Sequence, residues 1–460
     1  MENELLKDIP DTNSLLNHPL FKGLNREAVK RTVRAYLSEL RGGILSGARL
    51  QLPSLDECAS RILMKLDEED IPNLRGVINA TGIILHTNLG RAPLGAEIYA
   101  AASQIYSGYS NLEYDLETGQ RGSRHTHVEG LICELTGAEA AMVVNNNAAA
   151  VFLMLSALAK GRQVAISRGE LVEIGGSFRI PEIMAQSGAE LLEVGTTNKT
   201  RLRDYAAAVQ KGAEVLLKVH TSNYQIVGFT ESVEAPELAA FGRENGLPVL
   251  YDMGSCFLVE PEILGIGAGE TARSGIAAGM DLICFSGDKL IGSAQAGILA
   301  GRKDYISQMK HHPLARMVRP DKLTLSALEA TLRLCRYPGE AKRRVPVLAM
   351  LAATPEALRQ RAESLAGRLR DVCPGCAADV RETTDETGGG SLPNVPLPGW
   401  AVALQPWVIS SNELERRLRL GRIPVIVRLK DSAVLISPRT LLPGDEEALL
   451  AAVRAAYDGA

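Results

Sequence analysis

Aromatic side chains are scarce in this 460-residue chain, at 4%. That argues against a surface that grips nucleic acid by stacking bases on rings. An excess of positive charge is missing as well. Lys and Arg number 50 against 54 Asp and Glu, a formal net charge of −4. Bulk charge therefore does not hold a polyanion, and any nucleic-acid contact needs a local basic face. Cysteines are few and odd in number, 7 in all. With no secretory segment ahead of them, they read as belonging to a reducing compartment. The first ten residues carry Glu2, Glu4 and Asp8, which fits neither a signal peptide nor an Arg-rich transit peptide. Long apolar runs are also absent. The longest, over 138–158, is broken by Glu139, Asn145, Asn146 and Asn147, so no membrane span is expected. The expectation is a cytoplasmic protein with no membrane and no DNA among its partners.

What is present is ordinary for a globular chain: 46% hydrophobic and 23% charged residues. The length suggests two or three domains. Residues 1–70 read as a helical domain. Val29, Val33, Tyr36, Leu37 and Leu40 recur at helical spacing over 26–40. Asn25 stands where a cap belongs. Opposite that apolar face, Lys22, Arg26, Lys30 and Arg34 recur every four residues. From spacing alone such a stripe is a solvated face. Residues 71–325 alternate short apolar runs with helical stretches. The runs lie at 141–144, 164–167, 191–194, 215–220, 248–251, 282–285 and 297–300. This alternation predicts an α/β core domain with a mostly parallel sheet covered on both faces. Residues 326–460 read as a linker helix and a small α+β domain, with strands at 402–404, 424–429 and 433–437 and helices at 355–369, 411–420 and 446–457.

In parallel sheets, ligands collect at the carboxyl ends of the strands, and three features sit there. Asp252 follows the run 248–251. Lys289 follows 282–285, in Ser286-Gly287-Asp288-Lys289. Asn145-Asn146-Asn147 joins a strand to an apolar helix whose first amides suit a phosphate. Each has a plain reading of its own: a turn carboxylate, a surface lysine, an N-cap. Taken along the chain, the asparagine turn, then Asp252, then Lys289, they match the order of the fold-type I enzymes of pyridoxal phosphate. There the Asp keeps the pyridine nitrogen protonated, the Lys forms a Schiff base, and Asn146, Asn147 and Ser286 suit the phosphate.

The chain resembles the bacterial selenocysteine synthase family, the L-seryl-tRNA(Sec) selenium transferases. The stretches that carry this are Asn79-Ala80-Thr81-Gly82 through Gly90-Arg91-Ala92-Pro93-Leu94, Arg121-Gly122-Ser123-Arg124, Ser167-Arg168-Gly169-Glu170, His220-Thr221-Ser222-Asn223, Ser286-Gly287-Asp288-Lys289 and Gly389-Gly390-Ser391-Leu392-Pro393. Where the family usually reads Asp-Leu-Gly-Ser-Gly, this chain has Asp252-Met253-Gly254-Ser255-Cys256, which keeps Asp252. The resemblance implies a fold-type I transferase core that uses pyridoxal 5'-phosphate. It implies conversion of L-seryl-tRNA(Sec) to L-selenocysteinyl-tRNA(Sec). Water would leave from the serine β-carbon to give a dehydroalanyl-tRNA, and selenophosphate would then supply selenium. Lys289 and Asp252 would be catalytic. Arg91, Arg316 and Arg319 match the family's arginines for selenophosphate. The family's N-terminal domain touches tRNA, which gives Arg26, Lys30 and Arg34 that role here. A homo-oligomer built from dimers, a decamer, is implied too. The competing reading is a pyridoxal phosphate lyase or transferase of the same fold acting on a small amino or sugar acid, which would not need residues 1–70.

Other signals carry less. Cys373-Pro374-Gly375-Cys376 has no second pair to complete a zinc site, and its surroundings do not match a thioredoxin unit. His125-Thr126-His127 and His311-His312 lack further ligands, so no metal is expected; His125 belongs near the cofactor or in a polar loop. The residue that covers the pyridoxal ring is left open among Arg168, Glu170 and His220.

Overall fold

The computed structural model describes residues 6–47, 51–69, 71–176, 178–267, 269–393 and 395–458. The chain divides into two compact units, Met1–Gly76 and Val77–Ala460.

Among its described residues, the first unit holds three α-helices, α1 (Thr12–Leu16), α2 (Arg26–Leu45) and α3 (Leu55–Glu69). Asn25 starts α2 by accepting from the amides of Glu27 and Ala28 at 3.0 and 3.2 Å, a cap of about 1 kcal/mol. The apolar stripe continues past Leu40 to Ile44, so α2 runs one turn further than its first fifteen residues suggest. Val29, Val33, Tyr36, Leu37, Leu40 and Ile44 bury against Cys58, Ala59 and Ile62 of α3. At roughly 1.5–3 kcal/mol for each large apolar side chain, that packing is what makes these helices a unit.

In the second unit, all seven apolar runs of 141–300 join one sheet. Its strands are β1 (Ala140–Val144), β2 (Gln163–Ser167), β3 (Glu190–Val194), β4 (Val215–Val219), β5 (Val249–Gly254), β6 (Leu282–Ser286) and β7 (Gly297–Gly301). The spatial order is β1-β7-β6-β5-β4-β2-β3. Strands β1 to β6 run parallel and β7 runs against both neighbours. The strands read as continuous apolar runs because both faces are covered. In β1, Ala141 and Val143 enter one core while Ala140, Met142 and Val144 enter the other, the two-residue period of a strand. The edge strand β3 keeps Glu190 and Glu193 exposed.

Helices α4 (Thr126–Thr136), α5 (Asn147–Leu158), α6 (Pro313–Met317) and α7 (Lys322–Cys335) belong to this part. Beyond it, α8 (Pro355–Val372), α9 (Ser411–Leu420) and α10 (Asp445–Asp458) share a core with a four-stranded antiparallel sheet. The strands are β8 (Cys376–Asp385), β9 (Leu397–Pro406), β10 (Arg428–Lys430) and β11 (Ala433–Ile436), in the order β8-β9-β11-β10. Strand β8 departs from the sequence expectation. Exposed positions fall on both of its faces, so its sequence, Cys-Ala-Ala-Asp-Val-Arg-Glu-Thr-Thr-Asp, carries no apolar run. The single strand expected over 424–429 divides in two. Val425–Ile426 pairs in parallel with Ile78–Asn79, and Arg428–Lys430 joins the four-stranded sheet. A tight turn with Cys376 N–H donating to the Cys373 carbonyl sets these cysteines 5.6 Å apart at Cα, and a disulfide joins them. Their spacing alone assigns them no such role. Among the described residues, no helix is long and apolar enough to cross a membrane.

Candidate active site

The carboxyl ends of β5 and β6 bring the two predicted residues together. Asp252 is 2% exposed and Lys289 is 5% exposed. The β5–β6 register slips by one residue between Asp252 and Gly254. Such a bulge is a usual way to re-aim a side chain at a site. Asp252 Oδ1 accepts from Asn147 Nδ2 at 2.8 Å, from the Gly254 amide at 3.0 Å and from the Cys284 thiol at 3.6 Å. Among the described residues Oδ2 accepts nothing, which leaves one carboxylate oxygen for a ligand. Burial pushes the Asp252 carboxyl above its ordinary range, against the pull of Asn147, the Gly254 amide and Lys289. Burial and then the Arg91 guanidinium push the Lys289 ammonium down, against Asp252 and Asp288. The two residues act on each other through space without a direct hydrogen bond. The contact made by Lys289 Nζ is to the Gly390 carbonyl, at 3.2 Å.

The asparagine turn differs from its simplest expectation. Asn146 spends its side chain as the N-cap of α5, accepting from the Ala149 amide at 2.8 Å. Asn147 reaches across the sheet to Asp252. The turn still offers a helix start beside the site, and Ser286 ends β6 in a buried position. Arg91 is brought in as well. Its guanidinium donates to Asp288, the neighbour of Lys289, at 2.9 Å, and its backbone is left-handed, with φ 62°. Arg316 and Arg319 make no contact with Lys289 or Asp252. Arg316 lies in α6 and Arg319 just past its end. Val318 between them accepts from the Asn145 amide at 2.8 Å, which ties this turn to the start of α5. Arg319 faces Glu113 at 3.5 Å. Glu113 also pairs with Arg121 and Arg124, and the Arg124 hydrogen bond leads in holding its carboxyl low. Arg26 and Arg34 are exposed and Lys30 half-buried on α2. None of the three has a carboxylate partner among the described residues, whereas Arg31 pairs with Glu69.

The three candidates for the ring face separate. Arg168 is tied to Glu193 and the Gly195 carbonyl. Glu170 is tied to Lys218. His220 follows β4, and its N–H donates to the Asp252 carbonyl at 2.9 Å. Burial lowers its imidazole, in the fields of Glu270, Asp252, Lys218 and Lys289. His125 lies beside β1. Its Nδ1 accepts from the Val143 amide, and burial lowers its pKa to about 4. Among the described residues, no cluster of three or more His, Cys, Asp or Glu could hold a metal ion.

The site's unmet polar atoms test whether it suits a cofactor. Asn147 Oδ1, His220 Nδ1, Ser222 Oγ, His86 Nδ1 and Thr387 Oγ1 are buried without a hydrogen-bond partner among the described residues. They lie on the turns and loops that border Asp252 and Lys289. Buried polar atoms are rarely left so, and a polar ligand would satisfy them. A buried amine just past one strand, a carboxylate with a free oxygen on the next and a helix start beside them fit a phosphate-bearing pyridine aldehyde. Two features of this site have no visible signal in the sequence: the Asn147–Asp252 bond, which spans 105 positions, and the Gly390 carbonyl. In the sequence, Gly389 and Gly390 belong to a stretch that carries the family resemblance, but nothing there says that a carbonyl of theirs meets Lys289.

The sheet order, with one antiparallel strand inside a parallel set, is that of the fold-type I pyridoxal phosphate enzymes. The solved structure of a D-glucosaminate-6-phosphate ammonia-lyase superposes with a TM-score of 0.57 at 20% identity, covering 89% of this chain and 100% of that one. It shares the fold. The L-seryl-tRNA selenium transferase family model matches residues 77–442. The L-seryl-tRNA(Sec) selenium transferase of Moorella thermoacetica is 50% identical over 460 residues, 99% of this chain and 98% of that protein. That of Geobacter sulfurreducens is 48% identical over 442 residues, 96% of this chain and 94% of that one. Identity at this level over nearly the full length, with Asp252 and Lys289 meeting at the sheet's carboxyl edge, means that the chain belongs to the L-seryl-tRNA selenium transferase family.

Proposed function

We infer that this protein converts L-seryl-tRNA(Sec) to L-selenocysteinyl-tRNA(Sec) with the help of pyridoxal 5'-phosphate. The observation that carries this, beyond family membership, is the buried Lys289 beside a carboxylate that keeps one oxygen free. When bound, pyridoxal phosphate supplies an electron sink conjugated to the substrate's α-carbon. Lys289 would hold it covalently, Asp252 Oδ2 would keep its ring nitrogen protonated, and the amides at the start of α5, with Asn146, Asn147 and Ser286, would receive its phosphate. His220, with its unpaired Nδ1, is the residue we assign to the ring's border.

The chain's own groups then divide the work. Burial weakens the Lys289 ammonium, so a larger share of this side chain is the neutral amine that can take the α-proton. The serine hydroxyl leaves as water and selenium takes its place on the β-carbon. We assign the selenium donor, selenophosphate, to Arg91 with Arg316 and Arg319, because guanidinium groups match phosphate oxygens in pairs. Arg91 stands at Lys289 within the chain. Arg316 and Arg319 would serve a site completed by a second copy, in a dimer-built ring such as a decamer. The unpaired stripe of Arg26, Lys30 and Arg34 is the surface we assign to the tRNA backbone, in a domain of residues 1–70 followed by the core at 71–325 and the α+β part at 326–460. The setting would be the cytoplasm, where charged tRNA is made.

The test is to titrate the holoenzyme with seryl-tRNA(Sec) and, separately, with free serine, while following the cofactor's visible band. A change with seryl-tRNA alone, and labelled selenocysteinyl-tRNA once selenophosphate is added, is the expected result. A change with free serine and none with seryl-tRNA would move the protein to small-molecule chemistry.

A further inference from the structure

The loop between β8 and β9 is built around one close approach. Its first end is fixed where Ile84 and Leu85 donate their amides to the carbonyls of Glu386 and Thr387, at 3.0 and 2.7 Å. Its far end is fixed where the hydroxyls of Ser391 and Ser255 meet at 2.9 Å, three residues past Asp252. Between these anchors lie Gly388, Gly389 and Gly390. Gly390 adopts φ 80°, a region that side chains disfavour, and a Cβ there would lie 2.9 Å from Lys289 Nζ. Gly389 is different. It does not need a left-handed backbone, and a Cβ there would meet Thr87 Oγ1 at an ordinary 3.4 Å. Two neighbouring glycines thus have unequal reasons to be glycine, and the one that has a reason carries the carbonyl that Lys289 touches.

We propose that Gly390 is a positioning residue whose carbonyl holds the free Lys289 amine in one place, so that the lysine acts as a base from a fixed direction. An amine on a four-carbon stem has several rotamers to lose, and a single acceptor at 3.2 Å selects among them. The other charged groups that face this amine, Asp252, Asp288, Arg91 and His220, set its charge but make no hydrogen bond with it. The proposal rests on Lys289 being the proton carrier of the reaction inferred above.

The test compares wild type, Gly390→Ala and Gly389→Ala as full-length chains. Stripped of cofactor, each is treated with formaldehyde and cyanoborohydride across a pH series, and methylation of Lys289 is read by peptide mass. A carbonyl acceptor favours the ammonium form, so displacing it should lower the midpoint in Gly390→Ala by about one pH unit, tenfold in proton affinity. Gly389→Ala should match wild type. In the loaded enzyme, Gly390→Ala should lose about tenfold or more in kcat with KM within about twofold, and Gly389→Ala should stay within about twofold on both. If Gly390→Ala does not fold, Ser391→Ala, which unbolts the same loop from Ser255, should lose about threefold in kcat with a midpoint shift of the same sign. Wild-type kcat and midpoint in the folded variant overturn the proposal, as does an equal loss in both glycine variants. Activity surviving in Lys289→Ala would instead sink the functional reading on which the proposal stands.

Discussion

Two buried lysines stand at the same edge of the same sheet, and they are treated in opposite ways. Lys218, on β4, forms an ion pair with Glu170 at 2.9 Å and donates to the Val233 carbonyl at 2.8 Å, while Glu170 also accepts from the Val219 amide at 3.0 Å. Burial pushes the Glu170 carboxyl up, and the Lys218 ammonium pulls it back. Every strong group in that pair is answered. Lys289 and Asp252 are buried as deeply, yet they do not bond each other, and the lysine has one neutral acceptor. A satisfied pair fixes structure. An unsatisfied one keeps its reactivity for a ligand.

The comparison breaks most sharply at Lys289 itself. Lys289→Met should lower selenium transfer by about a thousandfold or more, with circular dichroism and oligomer size unchanged. Lys218→Met should do the reverse. Leaving Glu170 buried and alone should cost about 3–5 kcal/mol of stability, read from denaturant unfolding, and Lys218→Met with Glu170→Leu together should recover much of it. Wild-type stability in Lys218→Met alone would erase the contrast.

Titration sharpens the same contrast. The folded pKa of Lys289 lies below its ordinary 10.5, so the unfolded chain binds the proton more tightly. The wild type therefore carries a stability cost that is full below the folded pKa and fades as pH rises to the unfolded one. Lys289→Met should accordingly unfold at a higher denaturant midpoint than wild type near neutral pH, with the gap closing toward pH 10.5. A gap that widens with pH would contradict the burial of a strained amine.

The smallest effect is expected in the N-terminal unit. Removing Arg26, Lys30 and Arg34 together should raise the KM for seryl-tRNA(Sec) about tenfold at moderate salt without changing kcat. It should also flatten the dependence of log affinity on log salt by up to about 0.9 for each phosphate left without its cation. A fall in kcat with KM unchanged would remove the stripe from substrate binding.

How far the sequence foretells this can be judged element by element. The seven strands of the large sheet are legible because most are buried on both faces and read as apolar runs, interrupted by Glu193 in the edge strand β3 and by Lys218 in β4. Strand β8 is not, because Asp379, Arg381 and Glu382, spread over both of its faces, dilute the signal. Asp252 and Lys289 are visible as polar residues placed just past such runs. That Asn147 serves Asp252 is not, since local pattern does not report a partner so far along the chain. The carbonyl of Gly390 leaves no mark at all, because every residue has one. Arg91, Arg316 and Arg319 are reached through family resemblance, and only Arg91 meets the neighbourhood of Lys289 within one chain.

The pairing of Ile78–Asn79 with Val425–Ile426 has a consequence for how the molecule is made. Gly82 donates its amide to Thr440 Oγ1 across 358 positions, and the segment between them includes everything that surrounds Lys289. A ribosome must therefore make every residue up to Thr440 before this seam can close. Contacts between such distant partners form late and slowly, so the large sheet can assemble while its reactive lysine still lacks the loop that holds it. A nascent chain would have its scaffold before it had its chemistry, and an interrupted one would never acquire it.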